Sequence, residues 1–591
     1  MKSKRFKNSN DLQLLGRFFT YLRPYSRYVV GALMAIPFAT GATLLVPWLI
    51  VTIVDDYITK FNQTGLMLLV GFFASAVLLG YVADAIYTYT LQKAGQLAIA
   101  DMRQDLFRHS LTLPRTYFDK HPIGITLSRL TSDMEAIGES LAIGVLSLVT
   151  DLIKTIALFV FLFYLSWKLA LVILLLFPVI YFVVSLLRKK LRYYFNLSRE
   201  SLASATAFLQ ECLNGIKTIQ LYAAEKKVLK QFEQKNRKFF HSQTRSNIYD
   251  STLFSIIDGL TSMMMVLIIW YGTDQIFEGA ITIGVLIGFI NILSKIFIPI
   301  REFAQQVAVI QRALSALQHT NDLFSQTSED EDDGDVDPKV AIKLSRFQEL
   351  CFENVSFKYN EDGMTVLKNL TFCLKKGDRI AIVGATGSGK STILKLITKG
   401  YGNYDGSITI NGIELSSIPK KTLLSSISMM QQDVYLFNTD LAFNIALNRP
   451  HVDQKKVQES AEYVYAHEFI DQLPDKYGYQ IIDNGKNLSA GQAQLISFAR
   501  AIAGESELIL LDEATSSVDS VTENMIQKAI EKIFQEKTVI AIAHRLSTIR
   551  NSDMILVMKE GSIIEMGDHD SLLNQQGYYI ELLDKMTKQS A

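Results

Sequence analysis

Along the first half of the chain, apolar residues run for twenty or more positions at a time. A membrane span needs about 20 mostly apolar residues, and six stretches meet that: roughly Tyr28–Val54, Gly65–Tyr87, Leu141–Leu165, Leu169–Leu187, Thr252–Tyr271 and Ala280–Ile300. After about Ser345 the apolar runs shrink to strand length, as in RIAIVG and ELILLDEA, and alternate with helical patterns. The pattern predicts a multi-domain chain: an all-α membrane domain over residues 1–325, an acidic linker over 326–345 and an α/β domain over 346–591. The polar opening MKSKRFKNSN shows no cleaved signal peptide.

Two long segments between spans, Thr88–Ser140 and Arg188–Ser251, keep helical periodicity well beyond any bilayer thickness. They are expected either to continue the spans as long cytoplasmic helices or to lie as amphipathic helices on the membrane surface. Arg188–Ser251 carries about thirteen Lys and Arg, whereas the stretch before span six has none and DDYITKFNQTG has only Lys60. By the positive-inside rule both termini, both long segments and the α/β domain are cytoplasmic, in a bacterial inner or plasma membrane. Charges inside the spans include Asp151, Lys154, Asp258 and Lys295. The expected pairings are Asp258 with Lys295 and Asp151 with Lys154 at i, i+3, either beside a substrate cavity or as neutralisation between packed helices.

Composition agrees with a membrane protein, with 49% hydrophobic residues and a mean hydropathy of +0.18. A formal net charge of zero gives no reason to expect nucleic acid. Cys212, Cys351 and Cys373 have no metal-ligand spacing and no obvious disulfide plan, so they are expected to be packing residues in a reducing compartment. The linker stretch SQTSEDEDDGDVDPK reads as a solvated connector; it superficially resembles a calcium loop around Gly334, but Val340 stands where the bidentate Glu belongs.

The chemistry lies in the second half. RIAIVGATGSGKSTILKLI is a strand, a glycine-rich turn and a helix, the context required of G-x-x-x-x-G-K-[ST]. Gly384, Ala385, Thr386, Gly387, Ser388 and Gly389 would wrap the phosphates. Lys390 would reach the β and γ oxygens, and the Ser391 hydroxyl, with Thr392 beside it, would hold Mg²⁺. SELILLDEATSSVD is an apolar strand ending in two acids: Asp512 is placed to organise Mg²⁺, and Glu513 to accept a proton from attacking water. His544 ends the next strand, TVIAIAH, aimed the same way. A second anion cradle stands in NLSAGQ, where a small-residue turn feeds another helix N-terminus.

In this order and spacing, GATGSGKST, MMQQDVYLF, NLSAGQ, LILLDEATSSVD and AIAHRLST resemble the nucleotide-binding domain of ABC transporters. With six spans before it, the chain resembles an ABC exporter half-transporter of type IV, multidrug-resistance-like and of the bacterial Mdl type. The resemblance implies ATP and Mg²⁺ as cofactors. It implies too that one chain's phosphate loop is capped by the other chain's Ser489, Ala490, Gly491 and Gln492. Tyr359 then matches the aromatic under adenine, Gln432 the loop glutamine on Mg²⁺, and Asp519 the acid that acts across the dimer. Residues near Phe118 and Gly215 match the family's coupling helices.

Three departures stand out: L-S-A-G-Q with Ala490 in place of glycine, Ala493 in place of the usual arginine, and QIIDNG with Asp483 as its only acid. They weaken what this chain offers a partner, while Lys390, Asp512, Glu513 and His544 match. A heterodimer is therefore expected ahead of a homodimer. The expected function is ATP-driven export of hydrophobic or amphipathic compounds, with a lipid flippase of the same architecture as the alternative. Six spans argue against a ribosomal or DNA-repair ABC ATPase, and the absence of a Cys/His domain before span one argues against a peptide exporter with its own protease.

Overall fold

The computed structural model describes residues 9–61, 63–328, 346–360, 363–512, 520–543 and 545–590. The chain divides into two compact units, Met1–Ser110 with Gly124–Ser325 and Leu111–Ile123 with Gln326–Ala591. The linker stretch and its calcium-loop likeness lie almost wholly outside the described residues.

The first half is helical: α1 (Ser9–Leu22), α2 (Ser26–Thr52), α3 (Gln63–Leu111), α4 (Arg115–Lys120), α5 (Ile123–Ser128), α6 (Met134–Ile137), α7 (Leu146–Leu165), α8 (Trp167–Asn214), α9 (Ile216–Leu221), α10 (Glu225–Phe277) and α11 (Ile283–Phe324). Among the described residues, Gly16–Ile58, Thr64–Leu111, Leu148–Leu165 and Glu225–Phe277 are long and apolar enough to cross a membrane, and Ile283–Ile296 is a shorter apolar helix. The fourth expected span, Leu169–Leu187, is helical throughout within α8. Helices α8 and α10 have 48 and 53 residues. At 1.5 Å per residue they run about 70 to 80 Å, more than twice a hydrocarbon core. The periodicity beyond the spans becomes continuous helix over residues 88–111, 188–214 and 225–251, with short helices where it breaks. α8 stops at Asn214, and Gly215 and the left-handed Ala223 (φ 48°) flank the short α9 before α10 begins.

Small residues set how closely these helices approach. A Cβ on Gly284 would fall 2.5 Å from the Val51 carbonyl, one on Gly288 2.7 Å from Val51 Cγ2, and one on Gly80 3.0 Å from Ala42 Cβ. In a bilayer, where burying apolar surface gives little drive, such close contact is what holds helices together. The start of α11 is also clamped. Thr282 caps it by accepting from Val285 N, and Asp55 accepts from Gly284 N at 2.8 Å and from the Thr282 hydroxyl at 2.5 Å.

The intramembrane charges pair differently from expectation. Lys154 Nζ donates to Asp84 Oδ1 at 2.8 Å, so its partner is a residue of α3 and not Asp151. One turn away Thr150 donates to the Tyr87 hydroxyl at 3.0 Å, a second polar contact between α7 and α3. Asp84 lies inside the second expected span, Gly65–Tyr87, and is absent from the expected pairings; a lysine side chain reaches an adjacent helix as readily as its own next turn. Among the ion pairs of the described residues there is none between Asp258 and Lys295; Asp258 is exposed on α10 and Lys295 is half-buried.

The second unit is α/β, with β1 (Glu349–Lys358), β2 (Thr365–Lys375), β3 (Arg379–Gly384), β4 (Tyr404–Ile410), β5 (Ile413–Glu414), β6 (Ile427–Met430), β7 (Leu508–Asp512), β8 (Thr538–Ile542), β9 (Met554–Lys559) and β10 (Ser562–Gly567). They form a four-stranded antiparallel sheet, β2-β1-β4-β5, and a six-stranded sheet, β10-β9-β3-β8-β7-β6, whose strands are parallel except for β10. Strands β3, β7 and β8 are near-continuous apolar runs because helices cover both faces of a parallel sheet.

The cysteines correct the packing assignment. Cys351 and Cys373 are direct partners in the antiparallel β1–β2 register and are joined as a disulfide, while Cys212 is free. Their separation of 22 residues carries no recognisable spacing, since the strand register alone brings them together.

Gly284→Ala should lower the stability of the detergent-solubilised protein by about 1–3 kcal/mol, because backbone stands in the way of its Cβ. Gly71→Ala, whose Cβ meets nothing within 4 Å, should be neutral or slightly stabilising. Thermal unfolding followed by size exclusion checks both.

Candidate nucleotide-binding site

The central strand β3 ends at Gly384, and the chain turns through residues 385–389 into the helix Lys390–Ile397. Two turn positions need glycine for conformational reasons: Gly387 at φ 83° and Gly389 at φ 100°. Close approach sets two more limits. A Cβ on Gly384 would lie 2.4 Å from the Met558 carbonyl, and one on Gly389 2.7 Å from Leu367 Cδ2. The helix start leaves backbone N–H groups without intrahelical acceptors, at the positive end of the helix dipole.

Around this turn lies a cavity of about 390 Å³ lined by Tyr359, Val366, Thr386, Gly387, Gly389, Lys390, Ser391, Thr392, Gln432, Asp512 and Ile542. Lys390 is buried, and its Nζ donates to Gly384 O at 2.8 Å and Ala385 O at 3.0 Å, leaving one of its three donors. Burial holds its ammonium below the usual lysine range, against the pull of Asp512. Asp512 sits at the C-terminal end of β7, two strands from β3, and accepts from the Ser391 hydroxyl at 3.2 Å. Burial pushes its carboxyl above the usual range, offset in part by Ser391 and by the charges of Lys395, Lys390 and Arg115. The Ser388 hydroxyl is buried, with no hydrogen-bond partner among the described residues. Such an orphaned donor beside unpaired helix N–H groups is what a phosphate oxygen would satisfy.

Tyr359 follows β1, half-exposed, and its hydroxyl meets Thr392 Oγ1 at 3.0 Å. Lys395 Nζ stands 5.5 Å from its ring centroid. Sequence reasoning missed Val366, Ile542 and Lys395. The first two look like ordinary strand residues, and Lys395 lies five positions beyond Lys390 on the same helix, outside the motif.

The second cradle is built differently. The helix Ala490–Ala503 is capped by Ser489 in a reciprocal box: Gln492 N donates to Ser489 Oγ at 3.2 Å, and Ser489 N to Gln492 Oε1 at 2.9 Å. Ser489 and Ala490 are exposed, Gly491 is buried, and none of the four lines the phosphate-loop cavity. Ala490 takes an ordinary helical first position, so its methyl causes no backbone strain. Glu513, Asp519 and His544 lie outside the described residues.

Two family models match the chain, "ABC transporter transmembrane region" over residues 29–300 and "ABC transporter" over residues 367–516. An uncharacterized ABC transporter ATP-binding protein of Bacillus subtilis (strain 168), YknV, is 32% identical over 96% of this chain and 93% of its own length. A probable multidrug resistance ABC transporter ATP-binding/permease protein of the same organism, YheH, is 33% identical over 84% of this chain and 73% of its own. An ATP-dependent lipid A-core flippase of Chromohalobacter salexigens is 30% identical over 98% of both chains. Among solved structures, a bacterial Atm1-family ABC exporter with ATP bound shares the fold at a TM-score of 0.75 and 24% identity, over 96% of this chain and 98% of that one.

The buried acid gives a pH signature. A carboxyl whose folded pKa is raised favours its protonated form in the folded state, so stability falls as pH rises above the unfolded value of about 4 and through the folded one. Without nucleotide or metal, Asp512→Asn should therefore match wild type below about pH 4 and melt above it near neutrality. Thermal melts of the full-length protein across that range check this; equal melting at neutral pH would refute it.

Proposed function

This chain belongs to the ABC transporter family, and we propose that it works as one half of a dimeric exporter in which each phosphate loop is closed by the partner's signature helix. It is an integral membrane ATPase that couples hydrolysis to transport. The observation that carries the dimer is the separation of the two cradles: one chain holds both, yet Ser489–Gln492 contributes nothing to the cavity around Lys390. An exposed apolar tip points the same way, with Leu213, Ile216, Leu221 and Tyr222 exposed around α9.

In this reading ATP stacks its adenine on Tyr359 and lays its phosphates along Gly384–Thr392, where Lys390 and the Ser388 hydroxyl meet oxygens. Ser391, Asp512 and Gln432 would hold Mg²⁺, which would supply Lewis-acid neutralisation of charge building on the phosphate oxygens. The buried Asp512 carboxylate is costly without a cation, and that is the fit. Glu513 takes the proton of the attacking water, His544 holds the γ-phosphate and Asp519 acts across the interface. Closure follows from differential affinity, because only the closed pair offers both cradles to one phosphate chain. Hydrolysis removes that link and resets the membrane half.

The pair is a heterodimer in this reading. Ala490, Ala493 and the QIIDNG stretch weaken the surface offered to a partner's ATP, whereas this chain's own loop is complete. The cargo is hydrophobic or amphipathic, of the multidrug type. A lipid cargo is the second reading, favoured by full-length similarity to the lipid A-core flippase.

The chain, tagged at native level and extracted gently, should bring with it a second, different half-transporter of similar mass. A pure homodimer with two equivalent hydrolysing sites would overturn the heterodimer. In the purified complex Glu513→Gln should cut ATP turnover by about 100-fold or more while leaving ATP binding intact, the size of loss ordinary for a positioned base. Unchanged turnover would remove Glu513 from its role.

A further inference from the structure

Helix α4 packs with the ATPase unit, although its sequence lies between helices of the membrane half. Buried Leu113 and Tyr117 anchor it, and Pro114 starts it. Two of its charged side chains act on residues of the ATPase unit beside the nucleotide cavity. Arg115 is close enough to Asp512 to favour that carboxylate's charge, and a side chain at Gly400 would meet its Cδ at 3.6 Å. Asp119, 3.9 Å from Arg115 Nε, accepts a hydrogen bond from the Tyr401 hydroxyl.

Tyr401 is no ordinary surface phenol. Its ring stands edge-on to Tyr359, with centroids 5.0 Å apart at 83°, and packs at 5.5 Å against Phe357, which is itself edge-on to Tyr359 at 5.0 Å. A ring locked on two sides cannot tilt without moving its neighbours. Burial and the Asp119 carboxylate push the Tyr401 phenol up, so it remains a donor to Asp119 at neutral pH. A cleft of about 750 Å³, lined by Pro114, Thr116 and Lys120 on one side and Tyr359, Lys399 and Tyr401 on the other, leaves α4 room to shift.

We propose that Asp119 and Tyr401 are positioning residues that carry occupancy of the Tyr359 ring to α4, so that the adenine, and not the phosphates alone, sets the position of that helix. The inference rests on Tyr359 being the adenine platform. A base stacked on the open face of Tyr359 fixes its tilt, Tyr401 follows that edge, and the charge-assisted hydrogen bond draws Asp119 with it. By linkage, whatever moves α4 from the membrane side changes affinity for the base equally.

Hydrogen–deuterium exchange of full-length protein in lipid nanodiscs tests this, with magnesium and an imido-bridged, non-hydrolysable ATP analogue as ligand and magnesium tripolyphosphate as the base-free probe. The analogue should slow exchange in the 111–123 peptide by roughly fivefold or more, the lower range of ordinary coupling between sites. Tripolyphosphate should protect 384–392 and leave 111–123 as it was. Tyr401→Phe, which keeps the ring, and Asp119→Ala should each abolish the slowing at 111–123, with protection of 384–392 and nucleotide-free exchange of 111–123 unchanged. A merely structural role would alter the nucleotide-free exchange instead. The proposal is overturned if tripolyphosphate slows 111–123 as well as the analogue does, if the analogue leaves 111–123 unaffected in wild type, or if both variants keep the effect. Failure of the analogue to protect 384–392 in wild type would overturn the nucleotide-site reading along with it.

Discussion

Glycines let the phosphate loop, β2 and the β9–β10 segment approach one another closely, and the second unit is arranged around that meeting. A Cβ at Gly384 would strike the β9 carbonyl of Met558, one at Gly389 would strike Leu367 on β2, and one at Gly561 would fall 2.4 Å from the Val366 carbonyl. The Lys368 amide donates to Gly561 O at 2.8 Å and ties β2 to the β9–β10 turn. The antiparallel and parallel sheets therefore touch through the loop. A loop pinned on both sides keeps its amides aimed at one point, and a preorganised cradle loses little entropy when phosphate arrives. The same pinning brings β1, and with it Tyr359, to the edge of the cavity.

The membrane half uses absent side chains for a different end. There Gly284 and Gly288 let α11 lie against the carbonyl side of α2, and Gly80 lets α3 approach Ala42. Polar groups then hold what small residues bring near: Asp55 closes the free N–H groups at the start of α11, and Lys154 with Asp84 ties α7 to α3. The Lys154–Asp84 pair is only partly covered, with the Asp84 side chain 47% exposed, so what it fixes is the register of α7 against α3. A helix rotated by one position would separate Lys154 from Asp84 and Thr150 from Tyr87 together.

Features set by local rules were legible in the chain. Span length follows from hydrocarbon thickness, strand and helix from periodicity, and the phosphate loop from a motif whose glycines each have a steric reason. Long-range register was not legible. Nothing in the spacing of Cys351 and Cys373 reveals that they face one another, and nothing near Lys154 in sequence points to Asp84. The Asp119–Tyr401 contact joins residues 282 positions apart, and no periodicity encodes it. Ala490 illustrates a milder limit. Its replacement of glycine is plain from the motif, yet only the helix geometry shows that the methyl sits at an ordinary helical position without backbone strain.

The electrostatics of the cavity explain why nucleotide binding can do mechanical work. Lys390 and Asp512 are both buried, and burial disfavours the charged form of each; their mutual attraction offsets only part of that cost. A phosphate beside Lys390 and a divalent cation beside Asp512 favour both charges at once, so the ligand gains from groups the protein alone holds at a disadvantage. That gain is available only where water stays excluded. Gln432, Thr386 and Gly387 are exposed in the cavity lining, and in the proposed dimer a second surface closes over them. A chain whose own capping helix contributes nothing to that cavity cannot complete the exclusion by itself. In the dimer proposed above, full stabilisation of the charges and closure of the pair would be one event, and the affinity of the closed state over the open one would be the free energy passed to the membrane half.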